Sequence, residues 1–152
     1  MKINITEDKS ITIDTLLLDA NGTLTIDGIL IDGVKERITE LKKHFEIIIL
    51  TGDRLGTAGA LADKLEIKWE LASTAAEKQL VAERMGSNRC ASIGNGAIDA
   101  KLLGTCALGI AVIQEEGLSP KALNSADILT LNIIDALDLL INPNRIGTTL
   151  RP

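Results

Sequence analysis

Six short apolar runs punctuate the chain: TLLLDA from Thr15, EIIIL from Glu46, IKWEL from Ile67, CASIG from Cys90, ALGIAV from Ala107 and DILTL from Asp127. Each is short and most are rich in branched aliphatic residues, so each reads as a strand. Between them lie segments whose apolar residues recur at helical spacing above a charged face: Val34 to His44, Thr57 to Leu65, Ala75 to Met85 and Ile98 to Leu103, with Ile133 to Ile141 following the last run. Parallel neighbours require crossover connections, which helices supply, and helices on both faces allow strands to be apolar throughout. The alternation therefore predicts an α/β fold with a doubly wound parallel sheet.

At 152 residues the chain suits one core and is too short for two ordinary domains. Two alternating segments, KINIT and SITID, flank Glu7-Asp8-Lys9 and predict a leading hairpin over about 2–14, ahead of a core over about 15–141 and a tail over about 142–152. Aromatic residues make up 1% of the chain, so the core is aliphatic and stacking platforms for bases are lacking; Phe45 and Trp69 are assigned to the core. A net charge of -5 argues against a nucleic-acid partner, which would call for a basic face. No apolar run resembles a signal peptide or a membrane span. Cys90 and Cys106 form neither a metal cluster nor a disulfide framework, as expected of a cytoplasmic protein.

In doubly wound sheets, ligands bind beyond the carboxyl ends of the strands. Three such ends are polar here: Asp19-Ala20-Asn21-Gly22-Thr23, Thr51-Gly52-Asp53 and Gly94-Asn95-Gly96-Ala97-Ile98-Asp99. Taken singly, Asp19 is a turn former and Asp53 a cap for the next helix. GNG lacks the third glycine of a dinucleotide fingerprint. His44, the only histidine, reads as a solvated residue at a helix end.

Taken in order, DANGT, LTGDR, the lysine of AAEKQL and GNGAID resemble the four motifs of the haloacid dehalogenase superfamily, and within it the soluble, stand-alone relatives of the P-type ATPase phosphorylation domain. The resemblance spans Leu16 to about Arg151. It implies a Rossmann-like core with a short flap hairpin around TIDGILIDG; only 32 positions separate Asp19 from Thr51, which leaves no room for a cap domain. It further implies that Asp19 attacks phosphorus to form an acyl phosphate, with Thr51, Gly52 and Lys78 holding the phosphoryl group. Lys64, Lys68 and Arg54 are the alternative cations. Mg²⁺ is the implied cofactor, on Asp19, the Asn21 carbonyl, Asn95 and Asp99.

Three departures from the pattern shape the expected activity. In the phosphatases of the superfamily the residue two after the nucleophile is an Asp that protonates the leaving group and then activates water; Asn21 cannot titrate, and such assistance is worth ~10²–10⁴ in rate. Asn95 in place of an Asp removes a charge from the metal site, and Ile98 stands where the pattern has Asn. The expectation is a slow Mg²⁺-dependent phosphatase or phosphotransferase acting on a phosphorylated small molecule or phosphoprotein. The alternative is a non-catalytic or regulatory phosphate-binding module that retains the pocket. Hydrolysis at carbon fits less well, because Lys78 and Asp99 suit metal and phosphoryl charge. A homo-oligomer is left open as the further partner.

Overall fold

The computed structural model of the protein describes residues Met1–Pro152. The chain opens with β1 (Lys2–Asn4) and β2 (Ser10–Thr12), paired antiparallel, then enters the sheet at β3 (Thr15–Leu18). A short hairpin, β4 (Thr25–Ile26) and β5 (Ile29–Leu30), follows at the position expected for the flap. Next come α1 (Val34–Leu41), β6 (Glu46–Thr51), α2 (Ala58–Leu65), β7 (Lys68–Leu71), α3 (Ala75–Met85) and β8 (Cys90–Gly94). A single 3-10 turn, Ala97–Asp99, leads into α4 (Ala100–Thr105), then β9 (Leu108–Val112), α5 (Pro120–Leu123), β10 (Ile128–Thr130), α6 (Ile133–Ile141) and α7 (Pro143–Leu150).

The main sheet has six parallel strands in the order β10-β9-β8-β3-β6-β7. The winding runs from β3 outward through β6 and β7, then returns to the other side of β3 for β8, β9 and β10. β3 thus lies at the point where the strand order reverses, and its carboxyl end opens on the crevice where such sheets bind ligands. In register, Leu18 of β3 lies between Ile49 of β6 and Ile93 of β8, so Asp19, Thr51 and Gly94 emerge side by side.

Strand alternation divides the core. Leu16, Leu18, Ile47, Ile49, Ala91 and Ile93 face the layer of α1, α2, α6 and α7, whereas Leu17, Ile48, Leu50 and Cys90 face α3 and α4. Both cysteines are buried and free, as small core residues. Phe45 is buried, but Trp69 is 40% exposed: it sits on β7, the sheet edge, where one flank has no neighbouring strand. Residues read as a tail form α7, whose Ile146 and Gly147 are buried against β1. A Cβ at Gly147 would collide with the Asn4 carbonyl oxygen, so glycine permits this close approach. No helix is long and apolar enough to cross a membrane.

Candidate active site

Asp19 follows directly on β3, in a cavity of about 410 Å³ that it lines with Asn21, Thr51, Gly52, Arg54 and Asn95 among others. The cavity floor is an ionic triad. Lys78 Nζ lies 2.6 Å from Asp19 Oδ1 and 2.6 Å from Asp99 Oδ1, and its side chain is wholly buried. The sequence places it there through a capping box one residue earlier: Thr74 Oγ1 accepts from the Glu77 amide, and Glu77 Oε2 accepts from the Thr74 amide at 3.0 Å. That box fixes the first turn of α3 and aims the lysine at the sheet.

Two carboxylates share one ammonium, so the floor carries surplus negative charge. Burial and the neighbouring Asp99 push the Asp19 carboxyl up to about 6, against the opposing pull of Lys78. Burial works against the Lys78 charge, but Asp19 and Asp99 outweigh it and hold the ammonium above the ordinary lysine value. Asp99 has little left to offer a ligand, since its Oδ2 accepts from the Gly96 amide at 2.8 Å. Gly94 makes room for it; a Cβ there would stand 2.6 Å from Asp99 Cγ.

The turn after Asp19 is held from several sides. The buried Thr23 hydroxyl lies 3.2 Å from Asp19 Oδ2 and 3.3 Å from Asn95 Oδ1, so it can donate to either. Asn95 Nδ2 donates to the Gly117 carbonyl, and Gly22, at φ +74, has no space for a Cβ beside that amide. Gln114 Nε2 donates to the carbonyls of Gly22 and Thr23, both at 2.8 Å, while its Oε1 accepts from the Ile133 amide at 3.0 Å. Gln114 thereby ties the turn to the start of α6. Across the cavity, Thr51 is buried and its Oγ1 accepts from the Asp53 amide at 3.1 Å. Asp53 adopts φ +47, and its Oδ1 accepts from Ala58 at the start of α2, the capping role open to it from sequence.

The structure thus brings together Asp19, Asn21, Thr51, Gly52, Lys78, Asn95 and Asp99. Of the alternative cations, Lys68 pairs with Glu46 and Lys64 is exposed on α2; Arg54 lines the cavity. His44 is exposed. Thr23 and Gln114 are the contributors that motif reading passes over. Thr23 stands within DANGT and could have been found as a hydroxyl four residues past a strand-end acid; nothing local marks Gln114, whose partners lie 91 and 92 positions away.

A hard cation fits these residues on charge and donor type. Asp19, the Asn21 carbonyl and Asn95 offer oxygen, and the surplus charge of the triad calls for a counterion. With no cluster of three or more acidic, histidine or cysteine side chains, the site suits an ion that keeps several waters. Asp99 is better placed to hold Lys78 than to hold the ion.

No family model matches the chain. Its fold is that of the haloacid dehalogenase superfamily. The cobalt-bound deoxy-D-mannose-octulosonate 8-phosphate phosphatase of Haemophilus influenzae superposes with a TM-score of 0.71 at 17% identity, over 90% of this chain and 91% of that one. The 3-deoxy-D-manno-octulosonate 8-phosphate phosphatase of Moraxella catarrhalis, in complex with magnesium ion, phosphate ion and KDO, gives 0.70 at 18% identity over 89% of each chain. The chain belongs to one family with the uncharacterized protein MJ0073 of Methanocaldococcus jannaschii, to which it is 42% identical over 88 residues, 58% of this chain and 84% of that protein. A soluble P-type ATPase-like phosphatase of the same organism is 26% identical over 136 residues, 86% of this chain; the chain spans about half the length of that relative.

Proposed function

We propose that the protein is a divalent-metal-dependent phosphatase or phosphotransferase that passes a phosphoryl group through Asp19. One observation carries the reading: a fully buried lysine held 2.6 Å from both a strand-end carboxylate and a second acid, beneath a cavity at the switch point of the sheet. Core packing alone gives no reason to bury an ammonium and two carboxylates there, because desolvating such a cluster costs more than apolar residues of similar volume would.

Asp19 attacks phosphorus in line, forming an O–P bond as the P–O bond to the leaving group breaks, and the leaving oxygen departs with the electron pair. The Thr51 hydroxyl and nearby backbone amides donate to the phosphoryl oxygens, and Lys78 offsets charge from below. Mg²⁺, held by Asp19, the Asn21 carbonyl and Asn95, would neutralise charge on the transferring group. Water then attacks phosphorus and frees Asp19. Asn21 neither protonates the leaving group nor takes a proton from water, so both steps are slow, and substrates with good leaving groups, such as acyl phosphates, are favoured. The substrate enters by diffusion into an open crevice, as expected of a soluble, cytoplasmic protein acting on a phosphorylated small molecule.

The test is to incubate the protein with acetyl phosphate and Mg²⁺, quench in acid and locate the label by peptide mass spectrometry. One phosphoryl group on Asp19, absent from Asp19→Asn, is expected. A second reading, a phosphate-binding module without turnover, is favoured by Asn21 and Asn95. It predicts saturable binding of phosphate with no label on Asp19, and that outcome would displace the first.

A further inference from the structure

The cavity is larger than a phosphoryl group needs. At about 410 Å³ it has the size of a site for a small organic ligand, and beyond Asp19 and Thr51 it is lined by Arg54, Ser73, Ala97 and Ile98. Arg54 is the only cationic side chain on that lining. It takes part in none of the ion pairs of the molecule. Lys78, by contrast, is fully engaged by its two carboxylates at the floor.

Backbone geometry brings the guanidinium there. The Asp53 amide is bonded to Thr51 Oγ1 and Asp53 turns through φ +47, a conformation costly for a residue with a side chain and stabilised here by the Asp53 bond to Ala58. The chain therefore doubles back at the cavity mouth, and the next residue is Arg54. Ile98, 38% exposed, adds an apolar side chain to the lining. No aromatic side chain lines the cavity, so a nucleobase finds nothing to stack on.

We infer that Arg54 forms a second anion subsite and that the phosphorylated ligand is small and non-aromatic and carries a carboxylate a few bonds from the phosphoryl group. The inference rests on the phosphoryl-transfer reading of Asp19 and adds what the rest of the ligand is. The guanidinium pairs with the carboxylate through its planar fork, and the intervening carbons lie along Ala97 and Ile98. Because this contact lies away from the reacting atoms, it binds ground state and transition state alike, and so belongs in KM and not in kcat.

The experiment uses a matched pair of ligands, 3-phosphoglycerate and glycerol 3-phosphate, which differ by a carboxylate against a hydroxymethyl group. Binding of each to the wild-type protein, to Arg54→Gln and to Arg54→Lys is measured with Mg²⁺ by thermal-shift titration, which needs no turnover, and KM and kcat are measured alongside. Wild type is expected to prefer 3-phosphoglycerate, and Arg54→Gln to reduce that preference about three- to tenfold, in Kd and KM, as for an accessible charge-assisted pair. Arg54→Lys is expected to restore part of it. Equal weakening of both ligands would show that Arg54 holds the transferred phosphoryl group and would overturn the inference. So would a loss confined to kcat, no wild-type preference, or no binding of either ligand at millimolar concentration. Failure of the phosphoryl-transfer reading is seen separately, as an unlabelled Asp19 after acetyl phosphate.

Discussion

The floor and the rim of the cavity are built on opposite principles. On the floor, Lys78, Asp19 and Asp99 are buried, bonded to one another and anchored by a helix cap and a close-packed glycine. At the rim, Asn21 is half-buried and Arg54 exposed, and neither side chain has a partner among the protein's hydrogen bonds or ion pairs. The floor is preorganised for one charge pattern, while the rim is free to be redefined by whatever enters. Substitutions on the floor are therefore expected to appear as lost stability, and those at the rim as altered selectivity or rate.

The strongest challenge to that contrast is Lys78→Met, which leaves two buried carboxylates facing each other without a cation. A loss of about 3–5 kcal/mol in urea unfolding at pH 7 is expected, as for breaking a buried ion pair. A loss below ~1 kcal/mol would show that the floor is not the rigid unit described.

At the rim, Asn21→Asp is expected to raise steady-state hydrolysis of p-nitrophenyl phosphate by roughly 10–100-fold, part of the value of general acid-base assistance. The recovery is partial because the new carboxylate joins an already negative site, which raises its own pKa. Wild-type turnover equal to or above that of the variant would end the argument that Asn21 limits rate.

Gln114 braces the turn that leads from Asp19 past Asn21, and so sharpens the comparison. Gln114→Met keeps the length of the side chain but leaves the Gly22 and Thr23 carbonyls and the Ile133 amide without partners. About 1–3 kcal/mol of stability should be lost. Weaker Mg²⁺ binding by calorimetry is expected alongside, since the Asn21 carbonyl lies on the loosened turn. An unchanged metal affinity would confine Gln114 to a packing role.

The pH dependence of stability tests the floor separately. The folded value of about 6 for Asp19 lies above its ordinary 3.8, so the protonated carboxyl favours the folded state in acid. That contribution is complete below pH 3.8 and is lost as pH rises through about 6. Compared in chelator, the stability of the wild-type protein relative to Asp19→Asn should fall over that window and then level off. A difference that rises with pH would contradict the surplus negative charge assigned to the floor.

Much of this arrangement is legible from the sequence. The six strands can be read because most are short apolar runs, and α1 to α4 and α6 because their amphipathic spacing matches the layer each covers; α5, only four residues long, offers no such spacing. α7 is not legible: PNRIGTTL places a glycine and two threonines inside a helix, and only Pro143 at its first turn and the fit of Ile146 and Gly147 against β1 favour it. Trp69 misleads for a different reason, since nothing local says that its strand lies at the edge. Motif order identifies Asp19, Thr51, Lys78, Asn95 and Asp99 as neighbours. It does not say that both oxygens of Asp99 are already bonded, Oδ1 to Lys78 and Oδ2 to the Gly96 amide. STAAEK contains the Thr74 and Glu77 of the capping box, a signal for the exact start of α3.

The seating of Gly147 on Asn4 also bears on how the molecule is made. A contact between the first strand and the last helix closes a loop of nearly the whole described chain, and such long-range closures slow folding. Ile3 is buried in the finished fold in one cluster with Ile146, so part of its cover arrives only once α7 has been made. A chain cut before α7 would leave the face of β1 that Gly147 and Ile146 cover open to solvent.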